Sequence, residues 1–283
     1  MKKTALVLRC NASDMSSYGG FIWPGVGQVA ECPDWVPDTE CGNGLHGWLY
    51  GHGDSSTSEY VGIPDAKWLV VEVNEEDIID LGRKVKFPRG IVRYVGDKAG
   101  ATGYLTEHEP RSANDAVIGL VKTVGNNQSV MGGNYSVLTG GHHSILTGGN
   151  YSTLTGGYRS TLTGGHGSTL TGGLCSTLTG GHYSTLTGGH VSTLTGGDYS
   201  TLTGGDWSTL TGGDWSTLTG GHNSTLTGGD YSTLTGGDWS TLSIKWFDYK
   251  TNRERISIAY VGEDGIEPNV AYKLDGQGKF IRS

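Results

Sequence analysis

The chain has 283 residues, 50 of them glycine, and a formal net charge of −8. That balance excludes a nucleic-acid binder, which needs a basic stripe, and no apolar run is long enough to insert into a membrane. Cys10, Cys32, Cys41 and Cys175 show no metal-ligand spacing and are too sparse for a disulfide framework, so neither a metal nor a cofactor is expected.

Residues 1–120 have ordinary complexity and read as a mixed α+β N-terminal domain. Met1-Lys2-Lys3 and the apolar Ala5–Leu8 begin like a signal peptide, but the run stops at Arg9, too soon for an apolar h-region. The expected location is the cytoplasm, with a virion or cell surface as the alternative. Thr4–Leu8 reads as a strand, and 11–66 as Gly/Pro/Ser-rich loops and turns. Lys67–Val73 is the strongest strand pattern. Glu75–Leu81 suits one or two helical turns, Lys84–Phe87 and Ile91–Val95 read as strands, and Ser112–Val121 is apolar enough for a short helix.

Within this domain Cys41-Gly42-Asn43-Gly44-Leu45-His46 carries the one chemical motif. Cys41 and His46, five residues apart across two glycines, can meet as nucleophile and base if a third group orients them. The competing reading is a turn with a buried Cys and a His bonded to a backbone carbonyl. The C-x-x-G-[FIL]-H block, here Cys41, Gly44 and His46, resembles a small domain placed before repeat solenoids in bacterial and phage proteins. That resemblance covers roughly residues 1–110 and implies an architecture, not an activity.

From Ser136 to Ser243 the octapeptide S-T-L-T-G-G-x-x recurs, with a worn copy at 128–133. Short repeats bury nothing alone and must stack, which makes 121–243 a β-solenoid and the fold class mainly β. Alternate strand residues face opposite ways. Leu at the third place of every octad therefore points in with the Ser, and both Thr point out. The first Gly lies against a thin core, and the second is expected to open the corner at φ > 0. The residue before each Ser is aromatic six times in seven in one set of alternate octads: Tyr135, Tyr151, Gly167, Tyr183, Tyr199, Trp215, Tyr231. In the other set, from His143 to Trp239, it is aromatic twice in seven. The asymmetry predicts a true period of sixteen: two octads per coil and one aromatic edge.

Gly197-Asp198-Tyr199-Ser200-Thr201-Leu202-Thr203-Gly204 resembles the G-x-x-S-T-x-T-A half-repeats of bacterial ice nucleation proteins, with Gly in place of Ala. Residues 244–283 read as strands that cap the open solenoid edge. Val261-Gly262-Glu263-Asp264-Gly265-Ile266-Glu267, with its following tyrosine, is similar to that family's C-terminal region. The resemblance implies a tyrosine ladder that dimerises, and nucleation that relies on far longer arrays and on assembly.

The outward Thr153, Thr155, Thr169, Thr171, Thr185, Thr187, Thr201, Thr203, Thr217 and Thr219 form a regular grid suited to ice, although Thr is also the favoured exposed strand residue. Homodimerisation along Tyr135, Tyr151, Tyr183, Tyr199, Trp215 and Tyr231 is the expected partnership, since an aromatic stripe marks a contact. Sugar stacking on Trp207, Trp215 and Trp239 is the alternative. Asp198, Asp206, Asp214, Asp230 and Asp238 lack the G-G-x-G-x-D frame of a calcium cradle, and side chains at that place suit a bond to turn backbone. The expected function is therefore structural and non-enzymatic: a rigid spacer, ice-binding or self-associating. A phage or bacterial surface component binding glycan or a partner protein, and an enzyme around Cys41 and His46, stand as alternatives.

Overall fold

The computed structural model describes residues 3–283. The chain divides into two compact units, residues 1–122 with 131–137, and residues 123–130 with 138–283.

The first unit is built on seven strands: β1 Thr4–Asn11, β2 Val29–Glu31, β3 Leu45–Leu49, β4 Lys67–Asn74, β5 Ile79–Asp80, β6 Val85–Phe87 and β7 Arg89–Gly96. They form one sheet of order β2-β7-β4-β1-β3-β6-β5, antiparallel at every pairing. β1 and β4 are central because both are apolar on both faces: Leu6, Val7 and Leu8 lie against Glu72, Val71 and Val70. Val7, Leu69 and Val71 pack with Leu45, Phe87 and Val92 on one side.

The helix stands elsewhere than the sequence suggested. Residues Lys98–His108 form helix α1, which packs on β4, whereas 110–114 are a short 3-10 turn and Val121–Val124 is extended. α1 carries two internal glycines and no amphipathic stripe, so periodicity did not reveal it. The Asp97 carboxylate caps it by accepting from the Gly100 N–H at 2.7 Å, and Ala101, Thr102 and Leu105 are buried. Likewise Glu75–Asp77 is a single 3-10 turn that runs straight into β5.

The second unit is a β-solenoid of sixteen-residue coils. Each octad contributes one short strand, and strands pair in parallel with those two octads away: Leu154 with Leu170, Leu170 with Leu186, and in the opposite sheet Leu162 with Leu178. Fourteen leucines, Leu138 to Leu242, have no exposed surface. At roughly 25 cal/mol per Å² of apolar area, each contributes on the order of 2 kcal/mol. The C-terminal strands continue the two sheets. Thr241–Asp248 pairs antiparallel with Arg253–Tyr260, and Ala271–Leu274 pairs with Thr233–Gly236 and with Phe280–Arg282. Each sheet thus ends on an antiparallel strand instead of an open parallel edge.

Candidate functional site

The repeat's letters act between coils. Each inward Ser is buried, and from Ser192 to Ser240 its hydroxyl does two jobs. Ser192 Oγ accepts from the Ser176 N–H of the preceding coil at 3.3 Å and donates to the Gly173 carbonyl at 3.3 Å. The same pair of bonds recurs at Ser200, Ser208 and Ser216. A corner inside a thin core has no water to satisfy it, so a small side chain that both donates and accepts is required.

The two glycines have different reasons. A Cβ on Gly204 would meet side chains of its own coil: Leu210 Cδ1 and Ser208 Cβ, both at 2.8 Å. A Cβ on Gly205 would meet backbone of the preceding coil: His190 N at 2.9 Å and Gly189 C at 3.0 Å. Neither glycine has positive φ. The left-handed residue is instead the one before each Ser, at φ 58° in Tyr183, Val191 and Tyr199 and 60° in Trp207. This corrects the expectation that the second Gly opens the corner: close stacking demands that glycine, and the turn falls two residues later.

The side chain after the glycines forms a second ladder. Asp198 Oδ1 accepts from the Asp214 N–H at 3.0 Å, Asp214 Oδ1 from the Asp230 N–H at 2.8 Å, and Asn150 Oδ1 from the His166 N–H at 2.9 Å. Asn, Asp and neutral His interchange here because each offers an acceptor to the coil above. No group of three or more His, Cys, Asp or Glu among the described residues is placed to hold a metal ion.

On one edge the aromatic rings stack on one another. Tyr183 and Tyr199 lie 4.9 Å apart at 3°, Tyr199 and Trp215 6.3 Å at 4°, and Trp215 and Tyr231 4.4 Å at 12°. The place left by Gly167 is filled from within the chain. Tyr151 lies over it, so that a Cβ there would meet the ring at 2.8 Å, and His166 sits edge-on to Tyr151 and to Tyr183 at 5.5 and 5.2 Å. The rings remain about half exposed, from 49% in Tyr199 to 57% in Tyr183. Tyr135 belongs to the first unit, where it is half-buried beside Gly62. Trp207, on the other edge, meets His222 edge-on at 6.0 Å.

All ten threonines of the grid, from Thr153 to Thr219, are exposed and in register: Thr153 pairs with Thr169, Thr169 with Thr185, Thr185 with Thr201, and Thr201 with Thr217. The second of each pair, Thr155 to Thr219, aligns in the same way. This gives columns about 7 Å apart along the strand and about 4.8 Å between coils. The opposite sheet carries an equal array, with Thr161, Thr177, Thr193 and Thr209 in one column.

In the first unit, Cys41 and His46 line one cavity of about 470 Å³ with Arg9, Cys10, Trp48, Tyr60 and Lys84. Cys41 is exposed on the loop before β3, which corrects the expectation of a turn with a buried Cys. That loop is tied down by Lys86, whose ammonium meets Asp38 at 2.5 Å and the Glu40 carbonyl at 2.9 Å. Burial, and then the charges of Lys84, Arg9 and Lys86, push the His46 imidazole down to about 4, with the Gly44 carbonyl as its hydrogen-bond partner. Its Nε2 is buried and has no partner. A base for a thiol must tolerate a positive charge, and His46 sits among the cations Lys84, Arg9 and Lys86 instead. Burial raises the Cys10 thiol to about 11, which keeps it protonated. Arg9 and Lys84 carry no motif in the sequence; only the fold brings them to His46.

Fold and surface together define a Ser/Leu-cored β-solenoid that presents flat threonine arrays and a stacked aromatic edge. Its repeat region is homologous to ice nucleation proteins, at about 40% identity. It is 42% identical over 115 residues to the ice nucleation protein of Pseudomonas fluorescens, 38% of this chain and 9% of that one. Over 106 residues it is 39% identical to ice nucleation protein InaU of Pantoea ananas, covering 36% and 10%. Over 108 residues it is 37% identical to the ice nucleation protein of Xanthomonas campestris pv. translucens, covering 37% and 7%. The chain thus spans about a tenth of the length of these curated relatives. Residues 5–107 match the family described as "Domain of unknown function (DUF7666)". No solved structure gives a significant match. No helix among the described residues is long and apolar enough to cross a membrane.

Proposed function

We propose that this chain is a non-enzymatic structural protein whose solenoid orders water at its threonine face and binds ice. The observation that supports this is the register of exposed Thr pairs from Thr153 to Thr219, repeated without interruption over five coils. Methyl and hydroxyl groups recur there at two fixed spacings on a surface held rigid by the inter-coil bonds. The relatives are named ice nucleation proteins, and the match covers about a tenth of their length; ice binding is the activity read here. Thr169→Lys with Thr185→Lys disrupts the grid and leaves the Leu core untouched. Thermal hysteresis and ice-recrystallisation inhibition should be present in the parent and sharply reduced in the double variant. A parent inactive at high concentration removes ice from the reading. Equal activity in both moves it to the face of Thr161, Thr177 and Thr193.

The aromatic edge favours a second property, association of two copies along Tyr183, Tyr199, Trp215 and Tyr231. Aromatic pairs are worth about 0.5–1.5 kcal/mol each beyond their burial, and each of these residues is about half exposed. Replacing Tyr183 and Tyr199 by Ser should convert a dimer to a monomer in sedimentation. A parent that is monomeric at high micromolar concentration would leave the stack as a brace for its own coils.

A further inference from the structure

The cavity at the end of β1 and β3 has a charge pattern that the solenoid does not explain. Arg9 is held from two sides: its Nε donates to Asn11 Oδ1 at 2.5 Å and its Nη1 to the His46 carbonyl at 2.6 Å. Its guanidinium lies 4.5 Å over the Trp23 ring. A guanidinium fixed in this way loses little freedom on meeting an anion. Lys84, half-buried on the same wall, has no ion pair among the described residues, whereas Lys3, Arg83, Lys86, Arg93 and Arg111 each have one. The one carboxylate on the wall, Glu59, is exposed, and it pushes the Tyr60 phenol up.

Two further observations point the same way. His46, which lines the cavity and whose carbonyl holds Arg9, keeps its buried Nε2 without a partner. Buried polar groups are nearly always satisfied, and orphans mark an absent water or ligand. The wall also offers a hydroxyl with its proton to give: Ser56 Oγ accepts from Arg83 Nη2 at 2.9 Å and so is free to donate. At about 470 Å³ the cavity falls within the range of small-molecule sites.

We propose that this cavity binds a small organic molecule through an oxyanion, a carboxylate or a phosphate monoester. The Arg9 guanidinium and the Lys84 ammonium hold the anion, and the body of the molecule lies against Tyr18 and Tyr60. His46, held at about 4, adds no charge of its own to this wall. The proposal rests on the first unit alone and is independent of ice binding.

The test is an NMR titration of the full chain with benzoate, phenyl phosphate and the neutral benzamide, following the amides of Gly42, Gly47 and Ser58. Saturable shifts with at least one anion and none with benzamide are expected. Tighter binding of benzoate assigns a carboxylate; tighter binding of phenyl phosphate assigns a phosphate monoester. Lys84→Met keeps the stem and should weaken binding about tenfold, the worth of one charged hydrogen bond. Glu59→Gln, which removes the opposing charge at the rim, should strengthen it. The proposal is overturned by the absence of saturation with both anions, by benzamide binding as tightly as they do, or by undiminished affinity in Lys84→Met.

Discussion

Gly204 and Gly205 are adjacent, have ordinary φ, and should respond very differently to a single methyl. In Gly204→Ala the new Cβ meets Leu210 Cδ1 and Ser208 Cβ at 2.8 Å, about 0.6 Å inside ordinary contact. Leu210 Cδ1 ends a side chain that can rotate away, while Ser208 Cβ gives only with the backbone of the same corner, and overpacking of this kind costs about 1–3 kcal/mol. Lower entropy of the unfolded chain returns about 0.4–1 kcal/mol, so the net loss is on the order of 1 kcal/mol. In Gly205→Ala the Cβ meets His190 N at 2.9 Å, Gly189 C at 3.0 Å and His190 Cα at 3.1 Å. All three are backbone of the neighbouring coil, tied in by the bond from Gly205 N to the Gly189 carbonyl at 3.3 Å. Relief requires the coils to part, which weakens that bond and the adjacent one from Val191 N to the Asp206 carbonyl at 2.8 Å. The cost should exceed 3 kcal/mol, at the upper end for single substitutions. Hydrogen exchange of the amides from Ser184 to Ser216 reads this locally, as suits a stack in which each coil contacts only its neighbours. Equal loss of protection in the two variants, or greater loss in Gly204→Ala, would refute the assignment of the second glycine to coil stacking.

Three other outcomes are expected. Val191 is β-branched at φ 58° and 56% exposed, so Val191→Asn, the residue used at Asn223, should stabilise the coil by about 1 kcal/mol, seen as slower local exchange. Ser192→Ala leaves the Ser176 N–H buried without an acceptor and should destabilise by about 1–3 kcal/mol in urea unfolding, whereas Thr193→Ala on the outside should cost little. His46 is held at about 4 against 6.5 in an unfolded chain. Below pH 6.5 the unfolded chain therefore binds the extra proton, and the first unit should lose stability as pH falls from 6.5 toward 4. The loss is about 1–2 kcal/mol once solvent screening of the half-buried ring is allowed for. Urea midpoints followed by tryptophan fluorescence at pH 7 and pH 5 should differ in the parent and converge in His46→Gln.

Much of the solenoid was legible in the chain because strand alternation is a local rule. The period of eight, inward Ser and Leu, outward Thr and the coil of sixteen all follow from residue spacing and from one aromatic asymmetry, and the pairing of Leu170 with Leu186 agrees. Contacts between coils were not legible, because every coil has nearly the same letters. The sequence does not say that a second glycine answers to the backbone sixteen residues earlier, that Ser192 serves the N–H of Ser176, or that the strained φ falls on Tyr199 and Val191. In the first unit the strong strands β1 and β4 stood out, but α1 did not, since a cap at Asp97 and burial of Leu105 hold together a segment with little propensity of its own. The cavity is the clearest case. Arg9, His46 and Lys84 are far apart in sequence and carry no shared motif, and only the antiparallel order that places β1 beside β3, and β3 beside β6, brings their charges to one wall.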